Sequence, residues 1–171
     1  DQDMDQSVHY ANEPVSADID CRISSAVIEQ LTAIVTPENI ELGTYARLKY
    51  TTGKSMEDIL RLRAGKVEQI SDLVIHPRNR DDIEDILTVC NDNHIPVQVY
   101  GGGSSVTMGL ACPNGGVTLV MATHMNRLIE FNETNQTITV EPGMMGPAYE
   151  HLLNTAPESL NASQAYTGGH F

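Results

Sequence analysis

The spacing of apolar residues changes three times in quick succession after Asp72, and each change marks an element. Leu73-Val74-Ile75 is a short continuous run, read as a buried strand ended by His76-Pro77. Asn79 then stands where a helix N-cap belongs, with Asp81 and Asp82 in the first turn, facing the positive end of the helix dipole. Ile83, Ile86, Leu87 and Cys90 follow at i, i+3, i+4 and i+7, one helical face. Ile95 to Tyr100 is the next strand. Strand, helix and strand in so short a span predict a βαβ unit, its two strands parallel neighbours and that helical face packed on them.

The flanks are read in the same way. Ile23, Val27, Ile28, Leu31 and Ile34 predict a helix over Ile23–Val35, stopped at Thr36-Pro37 because proline disfavours helix at the residue before it. Met56, Ile59, Leu60 and Arg63 predict a second, short helix closed by Gly65. Downstream, Val117–Met121 reads as a strand. Leu128–Phe131 and Thr137–Val140 form a hairpin about the turn Asn132-Glu-Thr-Asn135, and Pro142-Gly143 ends it. Another helix starts at Pro147. The expected architecture is α+β or a mixed α/β layer, with a polar N-terminal arm at 1–19, a helical lead-in at 20–70 and the main unit over 71–171.

Charge narrows the choice of partners. With 23 acidic and 10 basic residues the net charge is −13, and the basic residues do not form a patch that a nucleic-acid backbone could use. Lys54, Arg61, Arg63 and Lys66 make a small basic group, read as a solvated helix face, with an adenosine-phosphate or subunit contact left open. Cys21, Cys90 and Cys112 lie far apart, which suits free thiols in a reducing cytoplasm better than a disulfide framework or a zinc site. His76, His94, His124, His151 and His170 show no metal-ligand spacing. Three Asn-x-Ser/Thr matches, at Asn132, Asn135 and Asn161, are read as chance matches on polar turns. The first residue is Asp1 and no signal-peptide pattern follows, so a trimmed start is expected.

The chemistry lies after the second βαβ strand, where Gly101-Gly102-Gly103-Ser104-Ser105 follow directly on Val99-Tyr100. Consecutive glycines let a backbone turn with positive φ and approach a ligand with no Cβ in the way. Successive amides can then face one concavity, a nest suited to a pyrophosphate. In so acidic a chain, oriented amides are the available means of holding a phosphate ester. Val106 stands where the dinucleotide fingerprint requires glycine, and no P-loop lysine follows the run, so both common nucleotide motifs are excluded. The amides of Gly101–Ser105 are expected to converge on one anion. A β-branched residue at Gly102 or Gly103 is expected to abolish binding while sparing the fold. A plain flexible surface loop is the alternative at this point.

Ile95-Pro-Val-Gln-Val-Tyr-Gly-Gly-Gly-Ser-Ser-Val106 resembles the pyrophosphate-binding segment of the vanillyl-alcohol oxidase/p-cresol methylhydroxylase flavoprotein superfamily. Asp72-Leu-Val-Ile-His-Pro77, Met125-Asn126-Arg127 and Glu141-Pro-Gly143 resemble its segments on either side. Arg47-Leu48, Gly53, Asp58-Ile59, Leu62-Arg63, Gly65, Ile70 and Asp72 resemble the lead-in of alkyldihydroxyacetonephosphate synthases and related FAD-linked oxidases. The resemblance implies a p-cresol methylhydroxylase-type FAD-binding domain, incomplete at its C-terminal end, with FAD held at Val99, Tyr100, Gly101, Gly102, Gly103, Ser104, Ser105 and Val106. It implies noncovalent attachment at this segment, since no histidine lies in or beside the loop. The function it implies is the FAD-binding portion of a 2-hydroxy-acid oxidase or dehydrogenase, or of an alkyldihydroxyacetonephosphate synthase-like enzyme. A non-catalytic phosphate-ester-binding module is the alternative. The family's second flavin stretch and substrate domain would follow Thr167-Gly-Gly-His-Phe171. Catalytic residues are therefore unassigned, the 171 residues alone are expected to be inactive, and a homodimer is an open alternative.

Overall fold

The computed structural model describes Val15 and residues 19–167, so almost all of the expected N-terminal arm and His170 lie outside the described residues. The elements are α1 (Ser25–Val35), β1 (Ile40–Glu41), α2 (Thr44–Thr51), α3 (Met56–Arg63), β2 (Leu73–Ile75), α4 (Arg80–Asp92), β3 (Val97–Tyr100), β4 (Val117–Val120), β5 (Leu128–Asn132), β6 (Thr137–Val140), α5 (Gly146–Asn154) and α6 (Ala156–Ser159).

Local chemistry sets several of the boundaries. The Asn79 side chain accepts from the Asp82 amide at the start of α4, as the N-cap reading requires. Asp82 also takes a bidentate bond from Arg78, whose guanidinium holds its carboxyl below the usual aspartate range. Ser55 caps α3 by accepting from the Asp58 amide. At the other end of α3, Gly65 donates to Leu62 O and Lys66 to Arg61 O, the paired bonds of a Schellman stop.

The main sheet has the order β1-β2-β4-β3. β2 pairs in parallel with β4, Leu73 opposite Val117, and β4 pairs in parallel with β3, Val97 again opposite Val117. The two βαβ strands therefore run parallel but are not neighbours, because β4 lies between them. The central place fits β4, which is buried at all four positions, whereas Val99 of β3 is exposed at a sheet edge. β1 adds an antiparallel edge to β2, so the lead-in supplies a strand and α1 to the same unit as the residues that follow. The carboxylate of the buried Asp72 fastens this join, accepting from the Arg22 and Gly116 amides at 3.0 and 2.6 Å.

Alternation along the strands gives each face its own cluster. Leu73, Ile75, Val117 and Leu119 pack with Val27, Leu31 and Val35 of α1 and with Ile86 and Cys90 of α4. Val74 and Val120 point the other way, towards Ala46, Tyr50 and Tyr100. Of the face expected on α4, Ile86 and Cys90 are buried and Ile83 is partly buried, but Leu87 is 45 % exposed, a correction to the expected packing. Met56 and Leu60 of α3 are likewise exposed although their spacing marked the helix correctly. β5 and β6 form the expected antiparallel hairpin as a separate two-stranded sheet.

Candidate functional site

β2, β4 and β3 are parallel, so their carboxyl ends share one edge, where open α/β sheets take their ligands. The glycine run leaves β3 on that edge. Among the described residues, no hydrogen bond ties up the amides of Gly101 to Ser105. Of the loop glycines, only Gly103 has positive φ, at +66°, and it is buried. A Cβ there would fall on the Tyr100 hydroxyl and overlap the ring. Tyr100 is thus folded beneath the loop, edge-on to Tyr50 with ring centroids 5.0 Å apart.

Ser105 is fixed from two sides. Its Oγ accepts from the Gly109 amide at 2.9 Å, and its carbonyl accepts from the Lys54 amide at 2.6 Å. Gly109 O in turn accepts from the Gln98 side chain, which returns the loop to β3. Ser104 and Val106 are exposed, as is Val99 on the strand before the loop.

A second wall was not anticipated. Pro142 O lies 4.0 Å and Met145 Sδ 3.7 Å from the positions that a Cβ on Gly101 and on Gly102 would take. Arg127 and Glu141, quoted above as separate motifs, clasp the base of the hairpin that delivers this wall. The Arg127 amide donates to Glu141 Oε2 at 2.8 Å and its Nη2 donates to Oε1 at 2.7 Å. The guanidinium and that amide hold the Glu141 carboxyl below its ordinary range. Beside the wall is an open hollow of about 430 Å³ lined by Val140, Met144, Gly146 and Tyr149. Only the spatial meeting of the hairpin and the loop reveals the wall.

Two of the histidines are engaged locally. His76, buried at the end of β2, bonds Thr123 Oγ1 at 2.7 Å and Glu41 Oε1 at 2.8 Å and stands edge-on to Tyr50. His124 bonds Asn39 Oδ1. Among the described residues, no group of three or more His, Cys, Asp or Glu could hold a metal. Burial pushes the Cys90 thiol up to about 11. A glycine-lined cradle with unengaged amides at a strand's carboxyl end is compatible with the pyrophosphate of a dinucleotide.

Comparison with known proteins gives this cradle its context. The profile of the FAD binding domain family matches residues 71–169. The chain belongs to that family. Glycolate oxidase subunit GlcD of Bacillus subtilis (strain 168) is 33 % identical over 123 residues, 72 % of this chain and 24 % of that protein. The alkyldihydroxyacetonephosphate synthase of Trypanosoma brucei brucei is 29 % identical over 137 residues, 77 % of this chain and 22 % of its own length. A solved alkyldihydroxyacetonephosphate synthase superposes with a TM-score of 0.75 at 24 % identity, over 81 % of this chain and 26 % of that one. Substrate-bound p-cresol methylhydroxylase superposes with a TM-score of 0.57 at 15 % identity, over 78 % and 26 %. At these identities the solved structures establish the fold alone, and it is the p-cresol methylhydroxylase-type FAD-binding fold. The chain spans about a quarter of the length of the curated relatives it matches. It is an FAD-binding domain.

Proposed function

We propose that this domain serves a flavin-dependent enzyme in which the FAD pyrophosphate lies on Gly101–Ser105, with Val99, Tyr100 and Val106 beside it. The enzyme is a 2-hydroxy-acid oxidase or dehydrogenase, or an alkyldihydroxyacetonephosphate synthase-like transferase. The observation that carries the loop assignment is the run of unengaged amides at the carboxyl end of β3. In a chain of net charge −13, such amides offer a diphosphate the dipoles it needs without a cluster of basic side chains. Bound FAD supplies the redox or adduct chemistry. The residues described here hold it, orient it and keep its phosphates against the sheet edge. Attachment is noncovalent at this segment, since residues 95–110 contain no histidine. The relatives bear oxidase and synthase names, so a non-catalytic phosphate-ester module is not favoured.

Substrate recognition is assigned to a further domain, and these 171 residues bind FAD weakly and turn nothing over. A cytoplasmic location and a homodimer belong to the same proposal, to be checked by fractionation and light scattering. The central test is titration with FAD followed by quenching of flavin fluorescence, then dye reduction with glycolate and D-lactate. Saturable binding that inorganic pyrophosphate displaces, with no dye reduction, is the expected result. Binding indifferent to pyrophosphate would remove the loop from the site. Turnover by the 171 residues would overturn the division of labour.

A further inference from the structure

The lead-in touches the glycine loop at the turn between α2 and α3, where the Lys54 amide donates to Ser105 O at 2.6 Å. Gly53, one residue earlier, is buried against the same carbonyl: a Cβ there would stand 2.6 Å from Ser105 O and 3.0 Å from Asp58 Oδ2. Its φ lies outside the left-handed region, so close approach, and not backbone conformation, is what demands glycine here. Neither neighbour can yield easily. Asp58 is buried, accepts from Ser55 Oγ at 2.7 Å and donates its amide back to that oxygen. Ser105 is held by Gly109, which is itself bonded to Gln98 of β3.

We infer that Gly53 is a positioning residue for the FAD cradle: its bare Cα lets Lys54 pin the Ser105 carbonyl and so sets the aim of the Gly101–Ser105 amides. The inference rests on the reading of that loop as the pyrophosphate cradle. A methyl at Gly53 displaces Ser105, and the displacement passes into the loop, whose amides have no hydrogen bonds among the described residues to hold them. The lead-in thus acts on the cofactor without touching it.

The test is an NMR-detected FAD titration of the whole 171-residue chain and of Gly53→Ala, Gly43→Ala and Gly102→Val. A Cβ at Gly43 meets nothing within 4 Å, so that variant should bind as the parent does. Gly53→Ala should weaken FAD binding about tenfold or more, the weight of one charge-assisted hydrogen bond. Its amide shifts should be confined to residues 52–58 and 101–109, with β2 and β4 unmoved. Should Gly53→Ala fail to fold, hydrogen exchange in the parent decides, since FAD should slow exchange of the Lys54 amide. Parental affinity in Gly53→Ala, or a Lys54 amide whose exchange ignores saturating FAD, overturns the inference while leaving the cradle standing. Parental affinity in Gly102→Val, or no FAD-induced shift in any amide of residues 101–105, takes down the cradle and this inference with it.

Discussion

Valine at Gly102 and valine at Gly103 should fail in opposite ways, which corrects the expectation that a β-branched residue at either position spares the fold. Gly103 has φ +66°, a conformation that costs an L-residue about 1–2 kcal/mol, and β-branched residues suffer most there. Its new Cβ would also overlap the Tyr100 ring. Moving that ring off the edge of Tyr50 forfeits an aromatic pair worth about 0.5–1.5 kcal/mol. The sum, about 1.5–3.5 kcal/mol, corresponds to a fall in Tm of roughly 3–14 °C for a chain of this size. Gly102 is exposed, has no left-handed φ, and offers a Cβ an ordinary contact with Met145 Sδ at 3.7 Å. Stability there should change by no more than about 0.5 kcal/mol. A valine's γ-methyls there would crowd the cradle, and each charge-assisted bond they block is worth about 1.5–3 kcal/mol. FAD affinity should fall at least about tenfold. Thermal melts read the first quantity and FAD titration the second. Equal losses of Tm in the two variants would refute the reasoning, and so would unchanged FAD affinity in Gly102→Val.

Two further outcomes follow from the packing and the charges. Ile86→Ala empties a fully buried site between α4 and the sheet and should cost about 2–5 kcal/mol in urea unfolding, whereas Leu87→Ala should cost less than about 1 kcal/mol; equal costs would mean that α4 packs differently. Because Arg127 depresses the Glu141 carboxyl in the fold, the pair's contribution is fully present above the ordinary glutamate range and is lost as pH falls through the depressed value. Glu141→Gln should flatten that acid limb of the Tm–pH profile, and an unchanged limb would show that the clasp does not contribute.

Local periodicity determined which segments become helices and strands, because that depends on neighbours three or four residues away along a helix, or two along a strand. The Asn79 cap, the stop at Gly65, the β5–β6 hairpin and the glycine run after β3 were all legible for this reason. α2 was not. Its inward face carries Ala46, Arg47, Leu48 and Thr51, and the buried Arg47 donates to the carbonyls of Ser71 and Ile19, partners far off in sequence. Nor could β1 be read, since a two-residue strand has no period. Strand order belonged to the tertiary structure too: β2 and β4 are both short runs buried on two faces, and only their pairing in the fold puts β4 between β2 and β3.

The site divides along the same line. The sequence alone marked Gly101–Ser105 as a segment able to bare its amides, because glycine's freedom is a property of the residue itself. The tertiary structure decided the surroundings: Tyr100 beneath Gly103, the Pro142–Met145 wall opposite Gly101 and Gly102, and Gly53 against Ser105. Apart from the Tyr100–Gly103 contact these span tens of residues, fixed by how helices and hairpin close on the sheet, and no pattern along the chain encodes them separately.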